Sequence, residues 1–248
     1  MDILFYLFLP LIAFSYAVVG HGGASGYLAL MGIFAFDSEI LRPTALVLNL
    51  FVAGISFIQF YRAGFFKLKP FLIFACTSIP LAFLGGTLKI DTQLYKVILG
   101  LFLLFAVIKM SGFFGALKKT DYDGHSKDVP VLVGFLSGGT IGFISGLIGI
   151  GGGIVLSPIL LLTRWAHAKE AAAISALFIW VNSLAGLIGH SASSQLQVHE
   201  QWWIFVLLVL AGGLVGGLVG TKALSTRGLR IFLSIVLLLA ALKLIFGL

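Results

Sequence analysis

Apolar runs at about residues 3–19, 26–36, 43–61, 70–88, 93–113, 130–148, 154–163, 171–189, 202–221 and 229–247 alternate with short polar connections along almost the whole chain. An α-helix rises about 1.5 Å per residue, so about 20 apolar residues cross a hydrocarbon core of about 30 Å. The runs 26–36 and 154–163 are too short to cross, and each directly follows a cluster of glycines. The pattern therefore predicts a helix, a break and a short second helix over both 3–36 and 130–163, with three full spans after each.

The two halves repeat one another. Shifted by 129 residues, Ile12, Phe14, Gly20, Gly22 and Gly23 fall on Ile141, Phe143, Gly149, Gly151 and Gly152. Shifted by 134, Leu84, Gly86, Thr87, Thr92, Leu99, Leu103, Leu104, Ala106 and Lys109 meet identical residues between Leu218 and Lys243. Internal duplication is how many transporter folds are built. The predicted units are a membrane repeat over 1–114, a cytoplasmic connecting loop over 115–129 and a second membrane repeat over 130–248. Charge decides their relative orientation. If each broken segment crossed once, Lys and Arg would divide eight against eight. If each returns to its starting side, as a re-entrant hairpin or as paired helices, twelve lie inside; only Arg42, Lys89, Lys96 and Lys243 remain outside. The positive-inside rule favours the second arrangement, two inverted repeats with both termini outside.

Composition agrees with a bilayer as the solvent. Of 248 residues 60% are hydrophobic and 10% charged, and the mean hydropathy is +1.13; the expected class is an all-α polytopic membrane protein. The net charge of +7 comes from 16 Lys and Arg scattered through short loops. That distribution orients helices and does not make a nucleic-acid surface. The single cysteine, Cys76, lies in an apolar run and reads as a small buried hydrophobe. The N-terminus lacks a basic region and a small-residue cleavage site, so the first apolar segment is expected to stay in the mature protein.

No catalytic constellation is present in the sequence, and no enzyme activity, cofactor or metal is expected. His21, His125, His167, His190 and His199 are not at metal-ligand spacing, and the nine acidic residues fall at segment ends or in loops. Ser145–Pro158 reads SGLIGIGGGIVLSP, with five glycines and no charge. Its GIGGG lacks the strand–turn–helix setting and the later acidic residue of a dinucleotide fingerprint.

Glycines so dense within an apolar segment break a helix, and broken backbone at membrane depth survives only against protein or a water-filled cavity. A helix resuming after Gly22–Gly23 or after Gly151–Gly152–Gly153 turns free N–H groups and the positive end of its dipole into the break. Inverted repeats bring two such breaks face to face near the midplane, which makes a candidate site for a small anion. The candidate substrate-binding residues are His21, Gly22, Gly23, Ser25, Gly151, Gly152, Gly153 and Ser157 at the breaks. Asn49, Gln59, Ser175, Asn182 and Ser183 join them as uncharged side chains at membrane depth, with Asn49 and Asn182 at comparable places in the two halves. A valine at Gly152 is expected to block this site and leave the fold intact. The alternatives are close helix packing for the glycines, the better reading for Gly212, Gly216 and Gly220, and interhelical hydrogen bonds for the polar side chains. His21 either binds substrate, shuttles protons or caps backbone. Lys109 and Lys243, near segment ends, read as snorkelling side chains.

Gly149, Gly151, Gly152 and Gly153 followed by Ser157–Pro158, with the stretch FIWVNSLAGLIGH at Phe178–His190, resemble the TauE/SafE family of sulfite exporter-like membrane transporters, and the likeness covers nearly the whole chain. The first half departs from the motif. His21 stands where the second half has Ile150, Ala24 where it has Gly153, and no proline matches Pro158. The resemblance implies a secondary transporter that moves a small organic or sulfur-containing anion, such as sulfite or sulfoacetate, across the bacterial inner membrane. A proton or sodium ion is a candidate coupling partner, and a homo-oligomer is left open. A small-anion channel and a membrane assembly or chaperone subunit are the competing readings.

Overall fold

Ten helices take up the apolar runs in the computed structural model, which describes residues 3–110, 126–193, 197–222 and 227–246. In chain order they are α1 (Ile3–Val18), α2 (Ala24–Ile33), α3 (Ser38–Arg62), α4 (Leu68–Thr87), α5 (Thr92–Met110), α6 (Val131–Ile148), α7 (Gly153–Leu162), α8 (Ala168–Ser193), α9 (Trp202–Lys222) and α10 (Arg227–Phe246). No strand occurs among the described residues. Most of the expected connecting loop, residues 115–125, lies outside them. Its last residues are anchored: the Lys127 N–H donates to the Arg164 carbonyl at 2.9 Å, and Asp128 pairs with Lys69 at 2.9 Å.

Five helices, α3, α4, α6, α8 and α9, are long and apolar enough to cross a membrane. α2 and α7 have 10 residues each, about 15 Å of rise, and reach only halfway. Helix directions follow from which residues touch. On α9, Gly212, Gly216 and Gly220 lie against Pro10, Phe14 and Val18 of α1, so these two helices run parallel. Gly138, Gly142 and Gly146 of α6 lie in the same way against Phe74, Ser78 and Ala82 of α4. α8 also runs with α4, since Asn182 bonds Ser78 and Gly189 meets Phe83 and Gly86. α3 runs with α9, where Val52 meets Gly213 and Gln59 meets Gly217, and against α8, where Leu46 faces Gly186 and Gly54 faces Trp180. Thus α1, α3 and α9 point one way and α4, α6 and α8 the other. Because α1 and α3 share a direction, α2 brings the chain back to the side on which α1 began. α7 does the same between α6 and α8.

The closest helix pairs approach through small residues. A Cβ on Gly142 would fall 2.6 Å from the Cα of Ser78, so this backbone contact needs hydrogen at position 142. Side chains on the outer surface, such as Leu7, Leu132, Leu136, Trp203 and Leu207, are apolar and exposed, as a lipid-facing belt requires. Cys76 is exposed too, which corrects the expectation of burial. It follows Phe74 and precedes Ser78 by two residues each, about 200° around the helix from the face that packs on α6.

Basic side chains close three helix ends, where orphan carbonyls and the negative dipole end favour a cation. Arg42, from the second turn of α3, is buried and donates to the carbonyls of Gly85 at 3.1 Å, Gly86 at 2.6 Å and Leu88 at 3.3 Å, at the end of α4. Its reading as a plain loop charge is corrected accordingly. Lys169, in the first turn of α8, donates to Thr221 at the end of α9 at 2.8 Å. Lys243 donates to Ile33 at the end of α2 at 2.6 Å, while the Lys109 side chain lies outside the described residues. In the α8–α9 connection, His199 is held below the ordinary imidazole range by partial burial, with Glu200 acting in the opposite sense.

Candidate functional site

Both breaks are built the same way. Gly23, with φ +98°, is the N-cap of α2, and Gly152, with φ +78°, is the N-cap of α7; neither glycine has a side chain with which to cap its own helix. A left-handed backbone at these two positions is open to glycine at little cost and strained for a branched residue. The first-turn N–H groups therefore face the break. The Ala24 N–H donates to Asn49 Oδ1 at 2.9 Å. The N–H groups of Gly22, Gly23, Ser25, Gly151, Gly152, Gly153 and Ile154 have no protein acceptor among the described residues.

The breaks meet at the crossing of α3 and α8. Asn49 is fully buried, and its Nδ2 donates to Ser183 Oγ at 3.2 Å. Hydrogen stands where a Cβ of Gly22 or Gly151 would collide with the Asn49 amide. Ile179 fills the space between the breaks and touches Gly22, Gly151 and Gly153. His21 reaches across, with Nε2 3.1 Å from the Gly153 carbonyl and 3.3 Å from Ser157 Oγ, and Ser157 Oγ lies 2.7 Å from Ser175 Oγ. Ser25 Oγ bonds the Tyr16 hydroxyl at 2.7 Å. The structure thus gathers His21, Gly22, Gly23, Ser25, Asn49, Gly151, Gly152, Gly153, Ser157, Ser175 and Ser183 around one point.

Two sequence candidates lie elsewhere. Asn182 spends Oδ1 on Ser78 of α4 and Nδ2 on the Phe178 carbonyl at 2.8 Å. Gly20 packs on Ala172 and Gly149 on Arg42, an offset of 130 that pairs Asn49 with Ile179, so Asn182 sits nearly one turn too far along α8. Gln59 Nε2 donates to the Leu214 carbonyl of α9 at 3.0 Å, with its Oε1 buried and unpartnered, ten residues beyond Asn49. Gly152 cannot serve as a silent probe either: a Cβ there would come 2.7 Å from Ile141 Cγ2 and 3.0 Å from Phe178, so a valine would disturb folding.

Sequence reading missed Tyr27. It is fully buried and its hydroxyl has no partner; a Cβ on Gly23 would lie 2.6 Å from it, so an unspent donor hangs over the first break. A hydroxyl-bearing aromatic four residues after a helix-starting glycine was the available signal. Chemically, the site offers N–H and O–H donors with no carboxylate, lysine or arginine head group bonded at either break among the described residues. Such a set suits a weakly held acceptor or anion. Among the described residues no group of three or more His, Cys, Asp or Glu is placed to hold a metal ion.

A helical chain with several candidate membrane spans and two buried helix starts on glycines has the form of a membrane transporter, and comparison with known proteins agrees. The family described as Sulfite exporter TauE/SafE matches residues 5–244. The chain is 38% identical over 236 residues, 94% of each chain, to the probable membrane transporter protein y4hK of Sinorhizobium fredii. It is 30% identical over 257 aligned positions, again 94% of each chain, to a probable membrane transporter protein of Methanocaldococcus jannaschii. A third, from Bacillus subtilis, is 23% identical over 226 residues, 84% of this chain and 81% of its own. No solved structure matches the chain. The chain belongs to the TauE/SafE family and is a multi-pass membrane transporter.

Proposed function

We propose that the protein is a secondary transporter of a small organic or sulfur-containing anion across the bacterial inner membrane, working by alternating access around the two facing breaks. One observation carries this reading: two buried helix N-termini that start on glycines meet at Asn49, which accepts from the Ala24 N–H alone, and leave further N–H groups and the Tyr27 hydroxyl beside Gly23 without a protein partner. Unsatisfied donors in hydrocarbon cost several kcal/mol each, so the arrangement calls for an acceptor that comes and goes. Dipole compensation of about 0.3–2 kcal/mol per helix end suits release as well as binding. Flux into liposomes containing the purified protein tests the reading, with sulfite, sulfoacetate, sulfate, methanesulfonate and acetate, each with and without proton and sodium gradients. Saturable, counterflow-competent uptake of at least one anion is expected; ungated current or no flux for the whole panel refutes it.

The antiparallel run of α3 against α8 and the shared direction of α1 and α3 support two inverted repeats, 1–114 and 130–248, each opening with a re-entrant hairpin and joined by a cytoplasmic loop. On this topology the α3–α4 connection is cytoplasmic and the α4–α5 connection external. In a Cys76→Ser background, Lys89→Cys is expected to react with an impermeant thiol reagent added to intact cells, and Arg62→Cys only after permeabilisation. The reverse pattern would invert the orientation.

A further inference from the structure

His21 stands where the two breaks meet, and carbonyl oxygens bracket its ring: Nδ1 is 2.9 Å from Val19 O and Nε2 is 3.1 Å from Gly153 O. A neutral imidazole carries one N–H and one lone pair, so it satisfies one of these acceptors and opposes the other; an imidazolium donates to both. Val19 belongs to the first broken segment and Gly153 to the second, so the doubly protonated ring ties the breaks together. Ser157 Oγ, 3.3 Å from Nε2, donates its own proton to Ser175 Oγ at 2.7 Å, so toward the ring it stands as a further acceptor for an N–H at Nε2.

We propose that His21 is the proton-binding site of the transporter, becoming imidazolium as the anion enters and neutral as it leaves, so that one proton travels with each anion. This rests on the reading of the breaks as an anion site. The titratable group beside the ring is Tyr16 on α1, 6.4 Å away between ring centroids; Tyr27 on α2 lies against Gly23, two residues along the chain. From α3, α7 and α8 come the Asn49 amide and the hydroxyls of Ser157 and Ser175. No carboxylate among the described residues bonds the ring, and a buried cation without a counter-charge costs several kcal/mol. The transported anion is that counter-charge. Among the described residues no lysine or arginine head group bonds either break, Arg42 carrying its guanidinium to the end of α4, so each buried charge is better stabilised when the other is present. The proton comes from water on the entry side and returns to water on the exit side, so the ring is unchanged over a cycle.

Calorimetric titration of the purified protein with the panel anions that keep a constant charge between pH 6 and 9 (sulfoacetate, sulfate, methanesulfonate and acetate) tests this, alongside dye-reported proton movement in liposomes. For wild type, affinity is expected to weaken about tenfold per pH unit above the titration midpoint, because one proton and one anion are reciprocally linked. His21→Gln should bind with no pH slope and move no protons. Ser157→Ala keeps the imidazole but removes an acceptor that faces Nε2–H of the imidazolium, so its midpoint should shift to lower pH. A wild type whose affinity ignores pH, or a His21→Gln protein with the wild-type slope, overturns the assignment while leaving the anion site standing. Should His21→Gln fail to fold, an unshifted midpoint in Ser157→Ala overturns it equally, and a shifted one supports it. No saturable binding by any panel anion to wild type would instead overturn the anion site itself.

Discussion

Asn49→Asp is expected to weaken anion binding about 100-fold at neutral pH while the protein still folds and inserts. The aspartate oxygens can accept both from the Ala24 N–H, which Asn49 Oδ1 accepts at 2.9 Å, and from Ser183, which turns its hydroxyl proton round. Packing is therefore kept. What changes is a full negative charge beside the unpartnered N–H groups of both breaks. Two like charges about 5 Å apart at an effective dielectric constant of about 20 repel by roughly 3 kcal/mol, which is about two orders of magnitude in affinity. Calorimetry on purified protein reads the loss, and detergent thermal shift reads the fold. If the variant binds the anion as wild type does, the ligand does not sit between the breaks.

Gly142→Ala is expected to cost about 1–3 kcal/mol or more and to lower the thermal midpoint by several degrees, whereas Gly32→Ala should be neutral or slightly stabilising. Both glycines are buried in helices, so composition and pattern do not separate them. The surroundings do. A Cβ on Gly142 would fall 2.6 Å from the Ser78 Cα and also collide with the Ser78 carbonyl. Neither can move unless α4 and α6 separate. A Cβ on Gly32 would meet only the end of the Leu244 side chain at 3.5 Å, an ordinary contact, so the better helix propensity of alanine, about 0.5–1 kcal/mol, has room to show. Thermal denaturation of the two variants in the same detergent gives the comparison. Equal midpoints would mean that α4 and α6 are not held by this backbone contact.

Much of the candidate site was legible because its cause is local. Ten-residue apolar runs behind Gly22–Gly23 and Gly151–Gly153 cannot span a bilayer, so helix, break and short helix followed from length alone, and left-handed backbone at Gly23 and Gly152 is what clustered glycines permit. The likeness to the TauE/SafE family was legible for the same reason, since its motif is this contiguous run of glycines. Side-chain partners across the bundle were not. Asn49 and Asn182 look alike in sequence, yet one joins the breaks and the other bonds Ser78, because a shift of three residues turns a helical side chain by about 60°. Gln59 was drawn in by polarity and placed against Leu214 by rise along α3.

By itself, then, the sequence determined the solvent, the helices and their breaks, since each depends on runs of neighbouring residues and their hydropathy. Only the tertiary structure decided which helices touch, and with that which polar atoms are spent. It buried Arg42 against the end of α4, left the Tyr27 hydroxyl unspent above Gly23 and set the His21 ring between the carbonyls of Val19 and Gly153, which lie in different halves of the chain. The physical reason is that hydrogen bonding and close packing act over a few ångströms in space, whatever the distance along the chain.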